Sequence, residues 1–372
     1  MELEFTEEQE AIRDMTRTLL EEHSSVEVVR QAEDDAKGFP DALWKQMAES
    51  GLVGLLIPES YGGGDLSLLE AALVYEEIGR AMAPVPHFVS AVMSARILLE
   101  AGSQQQKEHW LPKIASGDAI LTPAWLEPDR GYGEVGVQLS AKKDGDDYIL
   151  SGTKLHVNHA GSADRLIALV RSDDGVDLLL VDPSAQGVTL THYLSQSGEP
   201  HYRVDFERVR VPSSDRIGDA GSGWGTFETV MHDGIILLAA QAIGGATRCL
   251  EETVEYAKVR VQFDKPLGAF QALAHYMADA STRIDGGRVL VQEAAWNRAE
   301  GRSVKRFAPM AKLFACRTYQ ETSRMCAQVW GGVAFTIEYD TQLFFRRSKE
   351  LQLSWWDEPY LEELIAADVL DD

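Results

Sequence analysis

The 372-residue sequence is poor in cysteine, with thiols only at Cys249, Cys316 and Cys326. None belongs to a C-x-x-C pair, which excludes the usual zinc and dithiol motifs and makes buried thiols the expected state. Positive charge is also scarce: 35 Lys and Arg stand against 59 Asp and Glu, a net charge of −24. That balance argues against a nucleic-acid partner, and any anionic ligand must find a local basic patch working against the overall field. No apolar run suggests a membrane span, and the acidic opening MELEFTEEQE is the opposite of a signal peptide, so a cytoplasmic location is expected. Gly62-Gly63-Gly64 is not followed by Gly-Lys-Ser/Thr, which excludes a phosphate loop. His156 and His159 have no third ligand at a useful spacing, so no metal site is expected. Nothing repeats internally.

What is present is a chain whose hydrophobic period changes twice. Residues 1–118 read as helices. Thr6 with Gln9 makes a capping-box pattern, Pro40 opens a second helix that Gly51 closes, and further helical stretches run over 67–82, 85–99 and 104–114. From residue 119 the period is two, with eight short strand patterns before residue 216 and an Asp144-Gly145 hairpin signal. Gly221, Gly223 and Gly225 follow no parallel strand–helix–strand unit and read as a flexible approach to the next helix. From residue 226 long helical patterns cover 226–259, 270–300 and 307–329, with shorter ones over 343–351 and 359–369. The expected fold is α+β: an N-terminal α-helical domain (1–118), a central antiparallel β domain (119–225) and a C-terminal four-helix-bundle domain (226–372).

The most informative stretch is YAKVRVQFDKPLGAFQALAHYMAD, residues 256–279. A buried helical face reaches a turn punctuated by Pro266 and Gly268, and a second helix begins at Phe270. Arg260, Phe263, Phe270, Gln271 and His275 share this corner, which offers a cation, aromatic faces and an amide to a dinucleotide. The pattern R-x-Q-F-x-x-P-L-G-x-F-Q-x-x-x-H-x-x-A-D resembles the signature of the acyl-CoA dehydrogenases, flavoproteins that desaturate acyl-CoA thioesters between the α and β carbons. A second motif of that family appears as Gln328-Val329-Trp330-Gly331-Gly332. The resemblance covers residues 5–370 and implies FAD as cofactor. It places Arg260, Phe263 and Gln271 on an FAD bound mainly by a neighbouring subunit, with Gln328, Gly331 and Gly332 approaching from the partner chain. It further implies acyl-CoA as substrate, an electron-transferring flavoprotein as electron acceptor, and a dimer of dimers. Asp264 departs from the family's glycine after the phenylalanine.

Further departures lie in the β region. Leu126-Glu127-Pro128 matches the family's threonine–glutamate–proline, but the serine-bearing glycine loop has become Asp129-Arg130-Gly131-Tyr132-Gly133. His156-Val157-Asn158 stands where the family has a tryptophan–isoleucine–threonine that stacks on and hydrogen-bonds the isoalloxazine. Asn158 retains donor and acceptor groups for the flavin edge; a solvent-exposed turn is the alternative.

Desaturation needs a base at the α-carbon and a hydride acceptor at the β-carbon. The family carries its glutamate in one of two places. Here one position falls on or beside Trp355, in Leu353-Ser354-Trp355-Trp356-Asp357-Glu358-Pro359. The other is occupied by Gly234, in His232-Asp233-Gly234-Ile235. Three readings follow. Asp357 or Glu358 reaches the site, although Asp357 is also a good N-cap for the next helix; Asp233 serves from the other helix; or the chain has no base of its own. The segment 332–340, with Arg346 and Arg347, resembles a branch that acts on steroid side chains or dicarboxylic acyl-CoAs. Its enzymes often pair two homologous subunits, one of them lacking the glutamate. The leading expectation is an FAD-dependent acyl-CoA dehydrogenase, as a homotetramer or as half of a heterotetramer. A catalytically silent subunit is the competing one, and a relative using reduced flavin with oxygen is more distant.

Overall fold

A computed structural model describes residues 5–370. The N-terminal helices are α1 (Glu7–His23), α2 (Val26–Asp34), α3 (Asp41–Glu49), α4 (Leu68–Ala81), α5 (Ala95–Ala101) and α6 (Gln104–Ala115). The expected capping box is formed: Gln9 N–H donates to Thr6 Oγ1 at 3.2 Å and Thr6 N–H to Gln9 Oε1 at 3.1 Å. Helix α2, only nine residues long, adds to those expected from the sequence. Residues 85–99 are not one continuous α-helix: Phe88–Ser94 forms a π-helical turn ahead of α5.

The strands are β1 (Leu121–Ala124), β2 (Ser140–Asp144), β3 (Asp147–Asn158), β4 (Arg165–Ser172), β5 (Gly175–Val181), β6 (Val188–Leu194), β7 (Pro200–Pro212) and β8 (Arg216–Ile217). They form one sheet in the order β6-β7-β3-β2-β4-β5-β8, with β1 beside β4. The sheet is mixed rather than wholly antiparallel, since β1 runs parallel to β4. No hairpin joins those two strands, so turn geometry does not impose an antiparallel register on them. The β2–β3 hairpin closes at Asp144 and Asp147, as the Asp-Gly signal predicts.

Helix α7 (Gly223–Val259) is followed by a two-strand corner, β9 (Val261–Gln262) and β10 (Lys265–Pro266). Then come α8 (Gln271–Ala299), α9 (Phe307–Trp330), α10 (Thr341–Leu353) and α11 (Glu358–Leu370). The chain divides into two compact units. One comprises residues 30–66 and 84–234 and holds the large sheet with α3, α5 and α6. The other comprises residues 1–29, 67–83 and 235–372 and is helical. The expected N-terminal span 1–118 thus contributes helices to both units.

Two expectations change. Gly221 and Gly223 are packed, not flexible: a Cβ on Gly223 would lie 2.8 Å from the carbonyl carbon of Asp177, whose carboxylate accepts the Gly221 N–H at 2.8 Å, while Gly225 lies open. Helix α7 is long and apolar enough to cross a membrane by length and composition, against the expectation that no segment would be. However, 89% of its most apolar window is buried within the fold, so that apolarity serves packing. All three cysteines are buried free thiols.

Candidate functional site

The corner after α7 is built as a tight hairpin. Lys265 pairs with Gln262 and Pro266 with Val261, and Leu267 N–H donates to the Arg260 carbonyl at 2.9 Å. Both central residues are left-handed, Phe263 at φ 52° and Asp264 at φ 64°. A two-residue loop with φ positive at both positions matches the twist of its flanking strands. Asp tolerates that region, whereas Phe there is a strained choice of the kind that gathers at ligand sites. The Phe263 ring is 85% exposed and meets Phe270 edge-on, with centroids 6.2 Å apart; Lys265 Nζ sits 4.2 Å above Phe270. Arg260 and Gln271 are exposed, and neither side chain has a partner among the described residues. Their donors are therefore available to an anionic ligand.

The second motif is brought to the same place. Tyr256, one turn before Arg260, stacks flat on Trp330 with centroids 3.9 Å apart, and Trp330 Nε1–H donates to Thr253 Oγ1 at 3.0 Å. This joins the end of α7 to the end of α9, where Gln328, Gly331 and Gly332 are all exposed. Gly331 ends α9 at φ 72°, a conformation that glycine adopts without cost. An open groove of about 1200 Å³ runs past these residues, with Tyr276, Arg283, Arg324 and Phe335 on its walls. A guanidinium, two amides, the exposed Phe263 ring and a bare glycine backbone fit the pyrophosphate and rings of FAD.

In the β-rich unit the flavin-edge candidates are set by β3. Leu155 N–H donates to the Leu126 carbonyl at 2.9 Å, which locks Leu126 to that strand. The neighbouring Lys154, fully buried, donates to the Trp125 carbonyl at 3.0 Å and to Glu127 Oε1 at 2.6 Å. Burial pulls the Lys154 pKa down to about 8, opposed by the Glu127 charge. The same Glu127 oxygen accepts the Gln138 and Leu139 N–H groups at 2.8 Å each. A bulge in the β3–β7 ladder lies between Lys154 and Val157, and inside it His156 adopts φ 53°. His156 is exposed, with its N–H donating to Tyr193 Oη at 2.8 Å, while Asn158 is buried and pairs with His201. The roles of Lys154 and His201 were not legible in the sequence, because no local spacing connects either to a partner 27 or 43 residues away.

Each candidate base is otherwise engaged. Asp233 is buried and forms a 2.5 Å ion pair with Arg96. Beside it, a Cβ on Gly234 would lie 2.7 Å from Met93 Sδ and 3.2 Å from the Phe88 ring, so any side chain there requires the Met93 thioether to shift. Asp357 caps α11, its Oδ1 accepting the Tyr360 N–H at 3.1 Å. Glu358 is held by Arg317 and by Gln352 Nε2–H at 2.7 Å, and the Arg317 hydrogen bond lowers its pKa. Trp355 and Trp356 are both buried and left-handed, at φ 52° and 71°. Their turn is tied down by Lys312, whose fully buried ammonium donates to the carbonyls of Ser354, Trp355 (2.9 Å) and Trp356 (2.6 Å). A buried indole and a tight helix contact thus lie where the sequence reading looks for the glutamate.

Three family sequence models match along the chain: the acyl-CoA dehydrogenase N-terminal domain over residues 6–118, the middle domain over 123–209 and the C-terminal domain over 221–354. The probable acyl-CoA dehydrogenase YngJ of Bacillus subtilis is 31% identical over 366 residues, covering 95% of both chains. A chain solved in work on the electron-transferring flavoprotein of Acidaminococcus fermentans superimposes with a TM-score of 0.92 at 27% identity, covering 100% of both chains. The ChsE4–ChsE5 complex of Mycobacterium tuberculosis gives a TM-score of 0.92 at 25% identity, again covering both chains fully. With the hairpin corner, the glycine bend and the sheet assembled as that fold requires, the chain belongs to the acyl-CoA dehydrogenase family and is a flavin-dependent oxidoreductase with FAD as its cofactor.

Proposed function

We propose that this chain takes part in the FAD-dependent α,β-dehydrogenation of an acyl-CoA thioester and passes the electrons to an electron-transferring flavoprotein. The observation that carries the reading is the exposed corner of Arg260, Phe263 and Gln271, joined through the Tyr256–Trp330 stack to the Gln328–Gly332 bend. Arg260 would grip the pyrophosphate, Gln271 and Gln328 would hydrogen-bond along the dinucleotide, and Phe263 would cover a ring. Phe270 would brace that ring, and Gly331 and Gly332 would let the backbone approach. In the sheet, Leu126, His156 and Asn158 would meet the flavin edge. FAD, when bound, supplies the acceptor for the β-hydride; the α-proton must go to a carboxylate.

Which carboxylate divides two readings. In the first, Asp357 leaves its capping role or Asp233 leaves Arg96 to act as base in a homotetramer. In the second, the chain is the base-lacking member of a pair of homologous subunits. The buried indole of Trp355, the closed contact at Gly234 and the Arg96–Asp233 pair all favour the second. The similar ChsE4–ChsE5 chain, solved as a complex of two named components, supports it by likeness.

As a homotetramer the chain purified alone should bind FAD, whereas a colourless, inert chain supports the paired assembly. Arg260→Ala should weaken that binding at least tenfold, about 1.4 kcal/mol or more. Full retention of flavin would remove Arg260 from the site. Mixing the flavin-loaded chain with acyl-CoAs and an artificial acceptor separates the two readings. Bleaching that Asp357→Asn or Asp233→Asn abolishes identifies a resident base, whereas no bleaching until a homologous subunit is added supports the paired assembly.

A further inference from the structure

Asn158 sits in a hydrogen-bond network that decides which of its two amide groups is left uncommitted. Its Nδ2 lies 2.9 Å from His201 Nε2 and 3.4 Å from Glu199 Oε2. A carboxylate only accepts, so the amide nitrogen, not the oxygen, must face Glu199. The second Nδ2 hydrogen then goes to His201 Nε2, which must be unprotonated to receive it. Burial holds the His201 imidazole neutral, with a pKa pulled down to about 3, and the neighbouring His156, His159 and His192 push it the same way. With Nε2 accepting, the proton of neutral His201 resides on Nδ1, which faces His156 Nδ1 at 3.4 Å. The backbone is fixed as well: Asn158 pairs with His201 across β3 and β7, and its carbonyl accepts from Thr122 Oγ1 at 2.8 Å. Both amide hydrogens are committed, and Oδ1 takes no hydrogen bond among the described residues.

We propose that Asn158 presents only an acceptor, Oδ1, to the bound flavin, so that this chain binds reduced FAD in preference to oxidised FAD. This rests on Asn158 facing the flavin edge, as in the proposed function. An acceptor needs a ring N–H opposite it. The oxidised isoalloxazine carries one such hydrogen, and reduction adds more, so an acceptor-only contact strengthens on reduction and raises the midpoint potential. A hydroxyl in the same place would serve either state, because its hydrogen rotates.

The test is the midpoint potential of the flavin bound to the purified chain, with occupancy read from the same absorbance spectra. Asn158→Thr should bind FAD but lose about tenfold of its preference for the reduced form, a fall of about 30 mV for a two-electron couple. Glu199→Gln, which allows the Asn158 amide to turn over, should lower the potential in the same direction. Full occupancy with both potentials unchanged overturns the acceptor assignment and leaves the flavin site standing. A wild-type chain that takes up no FAD, either alone or with a homologous subunit added, overturns the site and the assignment together.

Discussion

Below pH 6.5 the β-rich unit should lose stability steeply, by about 4 kcal/mol per pH unit once the pH is well under that value. Three buried imidazoles cause this. Burial pulls His87 and His159 down to a pKa of about 4 and His201 to about 3, from an ordinary 6.5. A hydrogen bond to the Leu52 carbonyl opposes the shift at His87, and one to the Lys37 backbone opposes it at His159. Between pH 6.5 and about 4 the unfolded chain binds three protons that the folded chain refuses, so stability falls as pH falls. Each imidazole contributes about 1.4 kcal/mol per unit. The three are not fully independent, since His159 is itself one of the charges acting on His201. Thermal unfolding followed at pH 7, 6 and 5 should show an accelerating drop, and His87→Gln should remove about a third of the slope. A transition temperature flat from pH 7 to 5 would show that these rings are protonated in the folded state.

Lys312→Met should cost about 3 kcal/mol and loosen the turn at Trp355 and Trp356. Replacing a buried ion by an apolar isostere is often harmless when its partners leave with it. Here they stay: three successive backbone carbonyls converge on the ammonium and would have no donor. Tryptophan emission should shift to the red in the variant, since both indoles are buried in the native turn. Unchanged emission and stability would mean that the turn holds its own shape. The alkaline limb has a defined sign. Burial lowers the pKa of Lys312 to about 8 from 10.5, with the Cys316 and Asp357 charges opposing, and Lys154 shifts alike. From pH 8 to 10.5 the unfolded chain holds protons that the folded one has released, so these lysines add stability as pH rises and lose it as pH falls through 8.

Family, cofactor and the order of elements were legible in the chain because they depend on local patterns. The Arg260–Gln271 and Gln328–Gly332 motifs need only a helix end, a tight turn and a glycine, and neighbouring residues specify each of these. The helices over 226–259, 270–300 and 307–329 were legible for the same reason, since long amphipathic stripes repeat many times. Short or unusual elements were not: α2 has only nine residues, and neither the π-helical turn at Phe88–Ser94 nor the parallel pairing of β1 with β4 carries a local mark.

From the sequence alone, this protein is a flavin-binding chain of the family, with Gly234 and the Trp355 region read at the two positions where a glutamate is expected. Only the tertiary structure decided what surrounds those positions. It closed Gly234 against Met93 and Phe88, paired Asp233 with Arg96, bound Asp357 to the start of α11 and clamped the Trp355 turn with Lys312. The same holds for Asn158, whose uncommitted group depends on His201 and Glu199. Each of these outcomes is a contact between residues on different elements or a competition for one donor. Such contacts depend on packing and strand register, which local propensity does not encode.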